Sequence, residues 1–138
     1  MILDTNVVSL AMRVGDESAA LRWLDAQEQE TLFITSITIA EIEKGIAILP
    51  EGQRKSALLE RFRTAVVPVF QGRIISFDAN AASEYAHRYA NARSRGIAVD
   101  FNDSYISGIA AANKMTVATR DTIPFEAMGI KTINPWES

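Results

Sequence analysis

Four acids stand where a folded chain can bring them together. Asp4 ends the apolar run Met1, Ile2, Leu3 and is followed by Thr5 and Asn6, where a helix can start. Glu41 follows the apolar stretch Leu32 to Ile39, Asp103 opens an Ala-rich helical segment, and Asp121 comes straight after Thr116 to Thr119. In an open α/β sheet ligands bind outside the carboxyl ends of the strands, so acids delivered there face a crevice instead of bulk water. Several carboxylates in one crevice repel one another until a cation is present. Hard oxygen donors of this kind suit Mg²⁺ or Mn²⁺, with water and substrate phosphate completing the coordination. The chemistry such a site supports is phosphodiester hydrolysis by activated water, with no side-chain nucleophile.

Each candidate has a plainer reading beside it. Asp4 and Asp103 could cap helices, where exposed amides favour a carboxylate. Glu43 has the same claim as Glu41 by composition, but Glu41 has Ile37 and Gly45 four residues to either side, which turns it inward. Asp100 reads as a solvated turn residue. His87, the one histidine, lies in YAHRYANAR with no partner for a general base in its segment, and reads as structural. One histidine and zero cysteines also leave no ligand set for a histidine- or thiolate-rich zinc site. Arg54, Lys55, Arg61 and Arg63 read as a solvated helix face. Arg88, Arg93 and Arg95, leading into Gly96, are better candidates for phosphate contact, and Arg120 could do the same or pair with Asp121. Trp23 and Trp136 read as packing residues or part of a dimer surface.

The elements that must position these residues follow from the alternation of short β-rich runs with longer helical ones, the pattern of βα units around a parallel sheet. Strands are expected at Met1 to Leu3, Leu32 to Thr35, Arg73 to Phe77, Met115 to Thr119 and Lys131 to Ile133. Helices are expected from Ser18 to Gln27 with Asp16 or Ser18 as cap, from Ser36 to near Leu49, and from Gln53 to about Val69. Others should run from the cap Asp78 to Ala92 and from Asp103 to Asn113, with a short turn from Asp121 to Met128. Arg93 to Asn102 is expected to be loop. No repeat, linker or low-complexity segment interrupts the 138 residues, so one domain spanning 1–138 is expected.

Composition narrows the class further. Apolar content of 48% and charged content of 22% fit a soluble globular chain, and no stretch approaches the roughly 18 apolar residues of a membrane span. Met1 leads directly into a strand, which predicts no signal peptide, and the lack of cysteine fits a reducing compartment; a cytoplasmic location is the expectation. A net charge of -3 is far from the basic balance that holds nucleic acid by bulk electrostatics, so a phosphate substrate needs local attraction.

The segments MILDTNVVS, TSITIAEIEKGI, DSYISGIAAANKM, VATRD and INPWE together resemble the PIN-domain proteins, specifically the VapC and FitB-like toxins, along nearly the whole chain. The resemblance implies a three-layer α/β/α sandwich with a central, mostly parallel five-stranded sheet. It implies an Mg²⁺- or Mn²⁺-dependent endoribonuclease held inactive by a co-expressed antitoxin. It further implies a cytoplasmic homodimer that meets operator DNA only through that antitoxin and does not touch membranes. Asp4, Glu41, Asp103 and Asp121 are in register with the family's acidic site, Thr5 and Thr119 are implied to support it through their hydroxyls, and Asn6 lies beside it. Two departures stand out. The family often writes its fourth motif as TRN followed by an Asp before the Phe, whereas here Pro124 precedes Phe125 and Asp121 must supply the carboxylate itself. Ser107 and Gly108 replace a common Ala-Ala pair, and both are small enough for close packing.

Two other functions fit parts of the pattern. In a phosphatase of the haloacid-dehalogenase type the strand-one Asp is a nucleophile and a second acid stands two residues on, but Asn6 holds that place here. Alternatively, the chain is an antitoxin-bound partner in a DNA-binding regulatory complex with weak or no nuclease activity, and the helical pair from Ile37 to Val69 is its working surface.

Overall fold

Strands of only two residues carry this fold, and their sequence decides which layer each side chain enters. The computed structural model describes residues 1–13 and 18–137. From the amino terminus the chain runs β1 (Ile2–Leu3), α1 (Thr5–Val8), α2 (Ala19–Asp25), β2 (Ile34–Thr35), α3 (Ser36–Ala47), α4 (Gln53–Arg61), β3 (Ile74–Ile75), α5 (Ala79–Ser94), α6 (Phe101–Asn113), β4 (Val117–Ala118), α7 (Ile123–Ala127) and β5 (Thr132–Ile133). Side chains alternate across a strand, so Ile2 and Val117 point to one face while Leu3 and Ala118 point to the other. Ile106, Ile109, Phe125 and Met128 complete the first core; Val7, Ile34, Ile42, Phe62 and Phe70 complete the second. Helices thus cover both faces, giving the expected three layers.

The pairings β1 with β4, β4 with β5 and β2 with β3 are all parallel. The two groups meet at one parallel bridge between Ile2 and Phe33, where Leu3 N donates to Phe33 O at 2.8 Å and Phe33 N to Met1 O at 2.9 Å. The strand order across the joined surface is therefore β3-β2-β1-β4-β5. The five expected strands are present as a three-stranded and a two-stranded sheet with this narrow seam between them. The chain builds outward from β1 to β2 and β3, then returns to lay β4 on the other side. That reversal leaves a crevice outside the carboxyl ends of β1 and β4, the place where open α/β sheets bind ligands.

Local chemistry sets most helix starts, through side-chain oxygens that accept from otherwise unpaired amides. Ser18 Oγ accepts from Leu21 N at 3.2 Å, Thr35 Oγ1 from Thr38 N at 3.2 Å, and Asp78 Oδ1 from Ala81 N at 2.9 Å. The alternative cap Asp16 lies outside the described residues. Two of the departures from expected boundaries move residues that matter here. α6 begins at Phe101, so Asp100 takes the N-cap position and Asp103 sits inside the first turn. The segment expected as one helix from Gln53 to Val69 is an α-helix only to Arg61, followed by a π turn over Phe62–Val66 and a 3₁₀ turn over Val67–Phe70. Pro68 has no N–H for a regular ladder, and the altered turns keep Phe62, Val66 and Phe70 buried on one side. At the end of α5, Gly96 adopts φ 76° while Ile97 N donates to Ala92 O at 3.0 Å. This is a Schellman closure, which needs the left-handed residue.

The departure at Ser107–Gly108 has a packing reason. A Cβ on Gly108 would lie 2.5 Å from Ala81 O and 2.8 Å from Tyr85 Cβ, so α5 and α6 approach as closely as they do because that position has none. Ala81 O belongs to helix backbone and cannot rotate away. Gly108→Ala is expected to lower stability by about 1–3 kcal/mol in urea unfolding through overpacking, and unchanged stability would show that the helix pair can separate freely.

Candidate functional site

The backbone ladder itself delivers Asp4 and Thr119 to the crevice. Asp4 N donates to Ala118 O and Thr119 N to Ile133 O, each at 2.9 Å, so both residues are held one step past the ends of β1 and β4. Asp4 is only 4% exposed, and Thr119 is fully buried. Asp4 Oδ1 accepts from Thr5 N at 2.8 Å. Its Oδ2 accepts from Thr119 Oγ1 at 2.8 Å and from Asn6 Nδ2 at 3.3 Å. A hydroxyl has one proton, and that of Thr119 goes to Asp4. Its oxygen is left to accept from Asp121 N at 3.1 Å and Asn6 Nδ2 at 3.3 Å.

Glu41 reaches the same crevice from α3. Thr5 Oγ1 donates to Glu41 Oε1 at 2.8 Å and lies 3.2 Å from Thr38 Oγ1, while Asn102 supplies a further hydrogen bond to the carboxylate. Its competitor Glu43 is taken elsewhere: Arg63 Nε donates to Glu43 Oε1 at 2.8 Å, drawing that acid onto α4. Asp103 projects from the first turn of α6, and Asp121 is exposed just after β4. Among the described residues no hydrogen bond fixes the carboxylate of either.

The acids feel one another. Burial pushes the Asp4 carboxyl above the usual aspartate range; its hydrogen bonds from Thr119 and Thr5 oppose this, and the Asp121 charge adds to it. Burial likewise raises Glu41, with Thr5 pulling down and Asp4 and Asp100 pushing up. Asp103 is pushed up to about 7, by burial first and then by Asp4, Asp100, Glu41 and Asp121 in turn. All four sequence candidates therefore share one electrostatic environment, and Asp100 joins them as a fifth acid. Asp100 is exposed, as a solvated residue would be, but the helix starts two residues earlier than its pattern suggests and sets Asp100 at the cap position, where its charge still reaches Glu41 and Asp103. Asn102 also escapes a reading of the sequence, where its only signal is its place beside Asp103.

The donor set suits a hard divalent cation in kind, since the candidate ligand atoms are carboxylate oxygens and, among the described residues, no cation is among the groups that shift Asp4, Glu41 or Asp103. Among the described residues, no three of these acids stand close enough to share one ion as they are. A shell of three of these acids would need side chains to rotate inward, and among the described residues Asp103 and Asp121 are the two whose carboxylates have no hydrogen bond to give up.

These features lie on a recognisable frame. The chain belongs to the PIN-domain family. Its residues 1–131 match the PIN domain family model. It is 46% identical to the plasmid stability protein StbB of Pseudomonas syringae pv. tomato, over 100% of this chain and 99% of that one. It is 42% identical to the VapC ribonuclease Y4jK of Sinorhizobium fredii, over 99% and 98%. Among solved structures, FitAcB from Neisseria gonorrhoeae superposes with a TM-score of 0.93 at 37% identity, covering 99% of both chains.

Several other sequence candidates in this PIN domain lie away from the acids or are already engaged. Arg88 Nε pairs with Glu84 at 3.0 Å and its guanidinium donates to Met128 O; Arg95 donates to Asn91 Oδ1 and Ala127 O. Both tie α5 to α7, so the expectation that they contact phosphate gives way to a packing role, their carbonyl acceptors lying more than thirty residues away in sequence. His87 is exposed on the same surface of α5. Trp23 and Trp136 pack partly against the second core. No helix of the described residues is long and apolar enough to cross a membrane.

The raised Asp103 carboxyl keeps its proton in the folded chain to about pH 7 but loses it near pH 4 when unfolded. Its contribution to stability is therefore present at low pH and lost as pH rises through about 7. Asp103→Asn removes that loss. In urea titrations with EDTA, the variant is expected to gain on the parent by on the order of 1 kcal/mol between about pH 4.5 and pH 8, the full linkage being discounted for a half-exposed side chain. Parallel pH profiles would show that burial and the neighbouring acids do not raise this carboxyl as described.

Proposed function

We propose that this PIN domain, a single domain over 1–138, is an endoribonuclease toxin of a toxin–antitoxin pair, hydrolysing RNA phosphodiesters with the help of Mg²⁺ or Mn²⁺. Asp4, Glu41, Asp103 and Asp121 are its metal-holding residues, and Thr5, Asn6 and Thr119 support them. The observation that carries the reading is the gathering of these acids in one crevice, where burial first and then the charges of Asp4, Asp100, Glu41 and Asp121 raise Asp103 to about 7. The likeness to a protein named a VapC ribonuclease supports the reaction class. When bound, one or two divalent ions would activate water for in-line attack and stabilise charge on the phosphoryl and leaving oxygens.

The chain's own residues prepare that chemistry. Each carboxylate oxygen can accept about two hydrogen bonds. Oδ2 of Asp4 already accepts two, while Oδ1 accepts one and keeps a free direction for a ligand. Thr5 links the two fixed acids, giving its backbone proton to Asp4 and its hydroxyl proton to Glu41. Burial of Asp4 and Thr119 keeps competing water from their shared bond.

The partner in this reading is an antitoxin, with operator DNA reached only through it. Support comes from the 38% identity to toxin FitB of Neisseria gonorrhoeae and from the likeness to FitAB bound to a DNA fragment, at TM-score 0.91 and 38% identity. An apolar groove of about 440 Å³ lies between α2 and the extension of α4, walled by Leu24, Leu32, Val66, Val69 and Phe70. Such a groove would take the apolar face of an amphipathic helix. It also favours the second reading, in which the chain is mainly an antitoxin-bound partner with weak or no nuclease activity. A homodimer and a cytoplasmic location belong to both readings.

Incubating folded, antitoxin-free protein with a mixed RNA pool is expected to give discrete fragments with Mg²⁺ or Mn²⁺, none with EDTA, and at least about 100-fold less cleavage with Asp4→Asn. Cleavage that persists in EDTA or in the variant would overturn the metal-site assignment, and absence of any cleavage would favour the second reading. Thr119→Val, which removes the proton given to Asp4, is expected to reduce metal affinity or activity about 10- to 100-fold. Unaltered metal titration of that variant would deny Thr119 its supporting role.

A further inference from the structure

An acidic crevice that works on RNA must also attract a polyanion, and several of the cations that could help are already paired. Arg63 is held by Glu43, Arg88 by Glu84, and Lys55 by Glu51 at 2.6 Å. Arg120 differs from these. It is exposed, stands next to Asp121, and among the described residues none of its side-chain N–H groups has a carboxylate or any other hydrogen-bond acceptor. Its guanidinium carbon instead lies 5.2 Å from the centre of the Trp136 ring. An aromatic face holds a guanidinium without using its in-plane N–H edge, so the fork that matches a phosphate remains free.

The position of that guanidinium is coupled to the acids. Arg120 N donates to Asn6 Oδ1 at 3.2 Å, and its carbonyl accepts from Asn134 Nδ2 at 3.3 Å. Asn134 Oδ1 in turn accepts from Trp136 N at 2.9 Å. The amide of Asn6 donates to both Asp4 Oδ2 and Thr119 Oγ1. A continuous set of hydrogen bonds therefore runs from the Asp4 carboxylate through Asn6, the Arg120 backbone and Asn134 to the residue on which the guanidinium rests.

We propose that Arg120, seated on Trp136, is a phosphate-binding residue that grips the RNA backbone beside the acidic site, with Trp136, Asn134 and Asn6 as its positioning residues. This rests on the ribonuclease reading above. The guanidinium donates a two-pronged hydrogen bond to a phosphodiester flanking the one under attack. Its charge offsets the repulsion of the acids for the strand, and the hydrogen-bonded run fixes the register between gripped phosphate and Asp4.

The test measures binding of a labelled single-stranded RNA of mixed sequence to the Asp4→Asn protein, over a range of salt, so that cleavage does not intervene. Adding Arg120→Ala is expected to weaken binding about 10-fold and to lower the slope of log affinity against log salt by about 0.7, the value for one phosphate contact on a single strand. Arg120→Lys keeps the slope but recovers only part of the affinity, because an ammonium cannot fork. Trp136→Phe, which keeps a ring beneath the guanidinium, is expected to retain the slope with a smaller loss of affinity. RNA bound with unchanged affinity and slope by Arg120→Ala overturns this proposal and leaves the nuclease reading standing. If the parent binds no RNA at all, both fall together.

Discussion

A buried carboxylate that the chain does not neutralise governs the rest of this structure. Burying an ionised group away from water costs several kcal/mol unless a counter-charge or hydrogen bonds replace the lost solvent. Asp4 receives hydrogen bonds from Thr5, Thr119 and Asn6, yet its carboxyl is still pushed above the usual range, because burial outweighs them. Glu41, Asp103 and Asp121 around it add repulsion, and Asp100 adds to that on Glu41 and Asp103. A chain selected for stability alone has no reason to build this. The arrangement is self-consistent when a divalent ion supplies the missing charge.

The helix termini do not change that balance. Asp103 lies in the first turn of α6. The exposed amides of such a turn favour an anion by about 0.3–1 kcal/mol, less than one unit of pKa. Its carboxyl nevertheless moves in the opposite direction, to about 7. Burial and four like charges therefore outweigh the helix contribution, which makes a capping role a poor account of Asp103. Its place inside the turn, with Asp100 at the cap position, also leaves the Asp103 side chain within the field of its fellow acids.

Much of this was legible in the sequence because strand ends and polar residues after apolar runs report the same thing the backbone does. Asp4 and Thr119 follow runs that suit central strands, and a parallel order places the ends of such strands together. The choice between Glu41 and Glu43 was only partly legible: helical spacing turns Glu41 inward, but the capture of Glu43 by Arg63 depends on how α3 and α4 pack. Arg88 and Arg95 mislead for a related reason, as their acceptors are carbonyls of a segment distant in sequence and carry no side-chain signature. Strands read too long because apolar runs of three to five residues continue beyond the two that pair in each ladder. Gly108 is the reverse case, where a departure from the family's pattern marks a close contact between two helices.

The acids divide into two kinds, and the division bears on how an ion would be taken up. Asp4 and Glu41 are held by hydrogen bonds from the chain, so their orientation is set before any ligand arrives. Asp103 and Asp121 have no such restraint among the described residues, and short side chains lose only modest rotamer freedom when they become fixed. No three acids converge on a point among the described residues, so in the proposed metal-binding reading a closed shell would form by the loose pair moving toward the fixed one. That motion would become favourable with a cation present, since each acid drawn inward would exchange repulsion for attraction. Were all four locked in a closed shell, the repulsion would be at its largest with no ion to relieve it. Partial order thus spares the fold the full repulsion of a closed shell, and under the proposed reading it leaves Asp103 and Asp121 free to turn toward an ion.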